Sequence, residues 1–180
     1  MSTEIKNPFI QDYIQKKNLK FICCDENRGW GGFYVLEKGI NYDIKILWVK
    51  PKQVLSLQSH KGNNIPGHSE IWTALSNVRI ILEEDLHSLK MFDRAPGGIM
   101  TIPEGSLHTL ANPFDKEDVY VCEVRISLQK EDSKTRENRI QRIYTKYPDP
   151  LVPLYPEDML CHILDTPFNP TLSGHPLRLL

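Results

Sequence analysis

The sequence predicts a mainly β protein, an antiparallel sandwich or barrel built from hairpins. A short N-terminal helix precedes it, a second helix follows it, and a proline-rich C-terminal tail ends the chain. Three observations carry this expectation. Strand-like stretches recur from about Phe33 to Ser127, joined by short connectors. Gly, Pro and Asn punctuate those connectors. No helical period interrupts the run, which argues against a parallel sheet with helical crossovers.

The elements follow in order. In "PFIQDYIQKK", Phe9, Ile10, Tyr13 and Ile14 fall at helical spacing behind Asn7, a good cap, with Pro8 in the first turn. The glycine-rich "NRGWGGFYVLEKG" opens a strand from about Phe33 to Leu36. "NYDIKILWVK" alternates, with Ile44, Ile46 and Trp48 on one face and Asp43, Lys45 and Leu47 on the other. In "VLSLQSH", Ser56, Gln58 and His60 share a face, with Leu55 and Leu57 expected opposite. "KGNNIPG" is a loop. "EIWTAL", "VRIILE", "LHSLKMF", "IMTIP", "HTLA" and "VYVCEVRIS" read as further strands. "TRENRIQRIYTKY" then switches period: Ile140, Ile143, Tyr144 and Tyr147 predict a helix. From Pro148 onward the proline content predicts an irregular tail that packs over the domain or a partner, not a second domain. The expected organisation is an extension over 1–27, a β domain with its following helix over 28–147, and a tail over 148–180.

The bulk composition excludes several classes. The chain has 180 residues, enough for one well-closed core, with 40% hydrophobic and 25% charged residues. A net charge of −1 gives no global pull toward nucleic acid or an anionic membrane. No apolar run approaches the ~20 residues that span a bilayer. The N-terminal stretch has no apolar signal core, so a cytoplasmic protein is expected. Cys23, Cys24, Cys122 and Cys161 include no C-x-x-C pair, so buried or half-buried free thiols are expected rather than a zinc knuckle.

Chemistry concentrates in two stretches. Gln58 and His60 share one strand face, and Glu70 opens the next strand across the loop. His108 follows a Pro103-x-Gly105 turn, a rigid corner that aims its side chain. Two imidazoles, a carboxylate and an amide oxygen suit a divalent ion with positions left open: Zn²⁺ first, or Fe²⁺, Mn²⁺, Co²⁺ or Ni²⁺. Taken singly, each residue also has a plain reading: an edge histidine, a loop-end charge, a hydrogen-bonded core histidine.

These residues carry a family resemblance. Gly97, Pro103, Gly105, His108 and Asn112 fit the cupin motif G-x5-P-x-G-x2-H-x3-N. The first stretch resembles the other cupin motif, G-x5-H-x-H-x3–4-E-x6-G. There Gln58 stands for the first His, Lys52 and Asn77 stand for the two glycines, and the loop to Glu70 is lengthened. Within the cupins, "RGWGGF", "YDIKILWVKP", "SLQSH", "EIW", "CEVRI" and "ENRIQRIYTKY" resemble, in order, the type II phosphomannose isomerases and the isomerase domain of bifunctional mannose-1-phosphate guanylyltransferases. The resemblance covers about residues 28–147 and includes no guanylyltransferase domain. His68 departs from the arginine usual there, Asn138-Arg139 from two acids, and "YPD" from a terminal Tyr-Gly-Arg.

The resemblance implies a cupin jelly-roll barrel and a homodimer. It implies interconversion of an aldose and a ketose phosphate. Gln58, His60, Glu70 and His108 would hold the metal. Glu123 is the candidate base and Arg142 a second catalytic candidate. Arg28, Lys45, His68 and Arg125 are candidates for the sugar phosphate. Alternatives stay open: Lys45 and Arg125 as solvated strand charges, Arg142 as a helix-face partner, Glu123 as a structural partner of Arg125. Two other functions also stay open, a non-catalytic sugar- or metal-binding cupin and another metal-dependent cupin enzyme such as an oxygenase.

Overall fold

The structure is a computed structural model that describes residues 1–60, 67–85, 88–127, 140–171 and 173–177. Its elements are α1 (Pro8–Lys16), β1 (Cys23–Arg28), β2 (Gly31–Lys38), β3 (Tyr42–Val49), β4 (Leu57–His60), β5 (His68–Ala74), β6 (Val78–Asp85), β7 (Ser88–Arg94), β8 (Ile99–Ile102), β9 (His108–Ala111), β10 (Val119–Ser127), β11 (Ile140–Tyr144), α2 (Glu157–Asp165) and β12 (Ser173–Leu177). The strands form two six-stranded antiparallel sheets, ordered β1-β2-β3-β10-β5-β8 and β11-β4-β9-β6-β7-β12. Facing each other, they make a jelly-roll barrel.

Strand alternation decides what enters the barrel. On β3 the inward row is Asp43, Lys45, Leu47 and Val49. On β10 it is Val119, Val121, Glu123 and Arg125, and on β5 it is His68, Glu70, Trp72 and Ala74. The interior therefore divides along the strands. One end is an apolar core in which Leu47, Val49, Trp72, Val119 and Val121 meet Ile80, Leu82, Phe92 and Leu110 from the opposite sheet. Burying each such side chain contributes roughly 1.5–3 kcal/mol. The other end carries Lys45, Glu70, Glu123, Arg125, His60 and His108, all buried.

Each outer sheet face has its own helix. Asn7 caps α1 by accepting from Ile10 N at 3.2 Å. The helix lays Ile10 on Cys24, Tyr34, Leu36, Ile46 and Tyr120 of the first sheet. On the second sheet, Met159, Ile163 and Leu164 of α2 pack on Val54, Leu57, Ile81, Leu89 and Met91. Arg79, fully buried on β6, pins this helix. Its Nε and Nη2 each donate to Asp93 at 2.7 Å, and its remaining donors reach the carbonyls of Ile163, Thr166 and Pro167.

Several expectations are corrected here. Residues 140–144 form β11, an edge strand on β4, not a helix. A register shift between Arg142 and Tyr144 breaks the strict alternation. That bulge turns Ile143 and Tyr144 onto the α2 core while Ile140 and Arg142 line the barrel, which imitates helical spacing. Asn138 and Arg139 lie outside the described residues, as does most of the "KGNNIPG" loop. The tail is not irregular: its apolar residues make α2, and β12 pairs with β7. β1 begins at Cys23, within the stretch read as an extension, and pairs with β2. Leu55 lines the barrel cavity beside Ser56 rather than facing Leu57's side, because β4 begins only at Leu57. The four cysteines are free, but Cys161 is exposed on α2. No helix among the described residues is long and apolar enough to cross a membrane.

Candidate metal centre

Four side chains from three strands converge at the polar end of the barrel. Period-two alternation on β5 lines up His68, Glu70 and Trp72. Trp72 Nε1 donates to Glu70 Oε2 at 2.9 Å, and His68 Nε2 lies 3.2 Å from Glu70 Oε1. From the opposite sheet, His60 Nε2 on β4 stands 3.3 Å from the same Oε1. His108 Nε2 on β9 stands 3.6 Å from Oε2. Gly105, in the turn ahead of His108, has a φ of +78°, and Gly97, in the turn between β7 and β8, has one of +86°, a region costly for other residues. Lys52, in the place of the first motif's glycine, also adopts a left-handed backbone, at φ +54°.

The histidines are set up to bind a cation. His108 Nδ1 lies 3.0 Å from the Ser106 carbonyl. A carbonyl only accepts, so Nδ1 carries the proton and Nε2 keeps its lone pair. That Nε2 is buried and finds no hydrogen-bond partner among the described residues. Burial pushes the imidazoles of His68 and His108 below the ordinary histidine range, leaving them neutral near pH 7. Burial also pushes the Glu70 carboxyl up, but hydrogen bonds from His60 and His68 and the nearby His108 ring outweigh it and hold Glu70 well below the usual carboxylate range. Neutral imidazoles around a carboxylate are the donor set of a divalent transition metal. The ligand atoms of His60, His68 and Glu70 all lie within 4.8 Å of one another, close enough for one ion.

The centre opens on a cavity of about 540 Å³, a size ordinary for a small-molecule site. His60, Glu70 and His108 line it with Gln58, Ser56, Trp72 and Thr109. Gln58 Oε1 accepts from Ser56 Oγ at 3.1 Å. Lys45 and Glu123 also line it, joined at 2.9 Å. Glu123 is thus the partner of Lys45, not of Arg125. Arg125 instead donates to Asp43 at 2.6 Å and is not among the described lining residues. His68 is absent from the lining too, although its ring stands 4.0 Å from that of His60. Arg28, Lys38 and Arg142 line the cavity and are solvent-exposed, so they form its outer, cationic side. Arg28 Nε donates to Asp25 at 2.7 Å.

Sequence reasoning missed Lys38, Tyr147 and Asp149 as lining residues. For Tyr147 a signal existed. Its ring lies against Gly29, where an added Cβ would come within 2.4 Å, so the "RGWGG" stretch leaves room for it.

A jelly-roll barrel holding an imidazole–carboxylate centre inside a cavity defines a cupin. More narrowly, the chain belongs to the mannose-6-phosphate isomerase C-terminal family, whose model matches residues 15–142. It is 29% identical over 86 residues to a mannose-1-phosphate guanylyltransferase of Sinorhizobium fredii (strain NBRC 101917 / NGR234), a stretch covering 48% of this chain and 15% of that protein. Among solved structures it is similar to the capsular polysaccharide assembling protein CapF of Staphylococcus aureus, with a TM-score of 0.52, 13% identity, and coverage of 69% of this chain and 32% of CapF. It is also similar to vicilin from Solanum lycopersicum (tomato), with a TM-score of 0.50, 16% identity, and coverage of 84% and 42%. At these identities the likeness shows the fold alone. The chain spans well under half the length of each of these relatives.

Proposed function

We propose that this chain is a metal-dependent aldose–ketose isomerase acting on a sugar phosphate, with mannose 6-phosphate and fructose 6-phosphate as the first pair to test. One observation carries the reading. A single cavity holds the centre between the two sheets, the Lys45–Glu123 pair on the sheet that carries Glu70, and Arg28, Lys38 and Arg142 toward solvent. Those are the three things the reaction needs: a carbonyl polariser, a proton carrier and a phosphate anchor.

In this reading His60, Glu70 and His108 hold the ion. A bound divalent ion would polarise the sugar carbonyl and stabilise the negative charge that develops on its oxygen. Zn²⁺ is the first ion to test, with Fe²⁺, Mn²⁺, Co²⁺ and Ni²⁺ as competitors that metal analysis separates. Glu123 takes the proton from one carbon and returns it to the neighbouring carbon. Lys45 holds that carboxylate in place. The outer arginines and Lys38 fix the phosphate, and Trp30 and Phe33 wall the sugar. The protein acts in the cytoplasm as a homodimer, which sedimentation of the purified chain tests.

A second reading, a sugar-phosphate-binding module without turnover, has one observation in its favour. Asp149 lines the cavity in the "YPD" segment where the resembled family carries its terminal arginine. A coupled assay with mannose 6-phosphate, run beside calorimetric binding, decides between the two. Metal-dependent turnover that Glu123→Gln abolishes while binding persists supports the isomerase. Binding without turnover supports the module. Neither binding nor turnover overturns both.

A further inference from the structure

The structure assigns His68 to the inner coordination sphere, so that the centre is built from three imidazoles and one carboxylate: His60, His68, His108 and Glu70. This rests on the metal-centre reading above and changes its ligand set. The place of Gln58 in that set passes to His68.

Two sets of distances argue for it. Four ligands at ~2.0–2.1 Å from one ion stand about 3.3 Å apart along each edge of a tetrahedron. His60 Nε2 and His68 Nε2 lie 3.3 and 3.2 Å from Glu70 Oε1, which matches such edges, while His108 Nε2, 3.6 Å from Oε2, moves inward to complete the set. Their rings are 4.0 Å apart, closer than the 5.0 Å between His60 and His108. Meanwhile the amide oxygen of Gln58 already accepts from Ser56 Oγ, and Gln58 faces the cavity, where a ligand's hydroxyl would meet it.

The chemistry agrees. An amide oxygen is a weaker donor than imidazole for the later first-row metals. A strand that has Gln58 where the cupin motif has its first histidine recovers the imidazole count through His68, two residues before Glu70 on the same inward face. The substitution also removes a cation: the arginine usual at this position in the resembled family would face the bound ion with like charge.

The competing role is a clamp, with His68 merely donating a hydrogen bond to Glu70 from outside the sphere. Co²⁺ titration and proton NMR of the Co²⁺-loaded full chain separate the two. Each coordinated imidazole shows one strongly shifted, solvent-exchangeable N–H signal. Wild type is expected to show three and His68→Gln two. His68→Gln, which can still hydrogen-bond Glu70, is expected to bind Co²⁺ more weakly by well over the ~10–100-fold that losing an outer partner costs. His68→Asn, checked for folding by its thermal transition, behaves alike. Two shifted signals in wild type, or near-normal affinity in His68→Gln, overturn the assignment while leaving the metal centre standing. No Co²⁺ binding by wild type overturns both the assignment and the centre.

Discussion

Lys45 and Glu123 stand directly opposite each other on β3 and β10 and join at 2.9 Å inside the barrel, with side chains only 8% and 9% exposed. An ion pair so placed stabilises little by itself, because both charges have left water, yet losing one partner strands the other. Lys45→Met is therefore expected to destabilise the fold by about 3 kcal/mol, and Lys45→Met with Glu123→Leu to recover most of that loss. Urea unfolding of the two single variants and the double variant measures it. Additive single-site losses would show that the pair does not act as a unit.

The buried imidazoles give the metal-free protein an acid-sensitive stability. His68 and His108 titrate below the ordinary histidine range in the folded state because burial disfavours their charged form. Unfolded, they titrate near 6.5. Between those points the unfolded chain binds more protons, so stability falls as pH drops below about 6.5. Glu70 adds to the loss further down. Its folded value is depressed, so the stability it contributes at neutral pH disappears as pH falls through that lowered value. Melting temperatures from pH 8 to 5, with chelator present, are expected to be flat above pH 7 and to decline below 6.5. The decline is expected to be shallower in His108→Asn.

Arg79 is expected to be the residue on which the tail most depends. Its fork serves Asp93 and three carbonyls beyond and within the last turn of α2. Arg79→Ala leaves Asp93 buried without its cation and frees those carbonyls, at a cost of about 3–5 kcal/mol. Arg79→Lys is expected to rescue little, since one ammonium cannot reproduce the planar five-donor geometry. Denaturant unfolding gives the energy, and limited proteolysis between Thr145 and Leu177 reports whether the tail loosens before the barrel.

Lys52 separates backbone strain from side-chain benefit. Its φ of +54° is unfavourable for a residue with a Cβ, while its Nζ donates to the Leu164 carbonyl and to Asp165, each at 3.1 Å. Lys52→Gly and Lys52→Ala both remove the contacts, but only glycine relaxes the backbone. Lys52→Ala is expected to be the less stable of the two by about 1 kcal/mol, the order of the left-handed penalty. Equal thermal stabilities would mean that the strain is absent.

Much of the barrel was legible in the sequence. The limits of β10 follow from "VYVCEVRIS", and the His108 turn follows from Pro103 and Gly105, because alternation and turn chemistry are local properties of the chain. β11 was not legible, since its bulge gives Ile140, Ile143 and Tyr144 the spacing of a helix, and only pairing with β4 distinguishes the two. β12 was missed for a related reason: the proline and glycine of "SGHPL" argue against a strand unless an edge position on β7 accepts them.

By itself the sequence determined which residues alternate inward, which turns are rigid, and that Gln58, His60, Glu70 and His108 fall on strands able to share one interior. Tertiary structure alone decided that His68 joins Glu70, that Lys45 takes Glu123 and leaves Arg125 to Asp43, and that the tail forms α2 and pairs β12 with β7. The reason is physical. Backbone period and turn preference act over a few neighbouring residues, whereas the pairing of buried charges is settled by register between strands far apart in the chain, where a shift of one residue exchanges every partner.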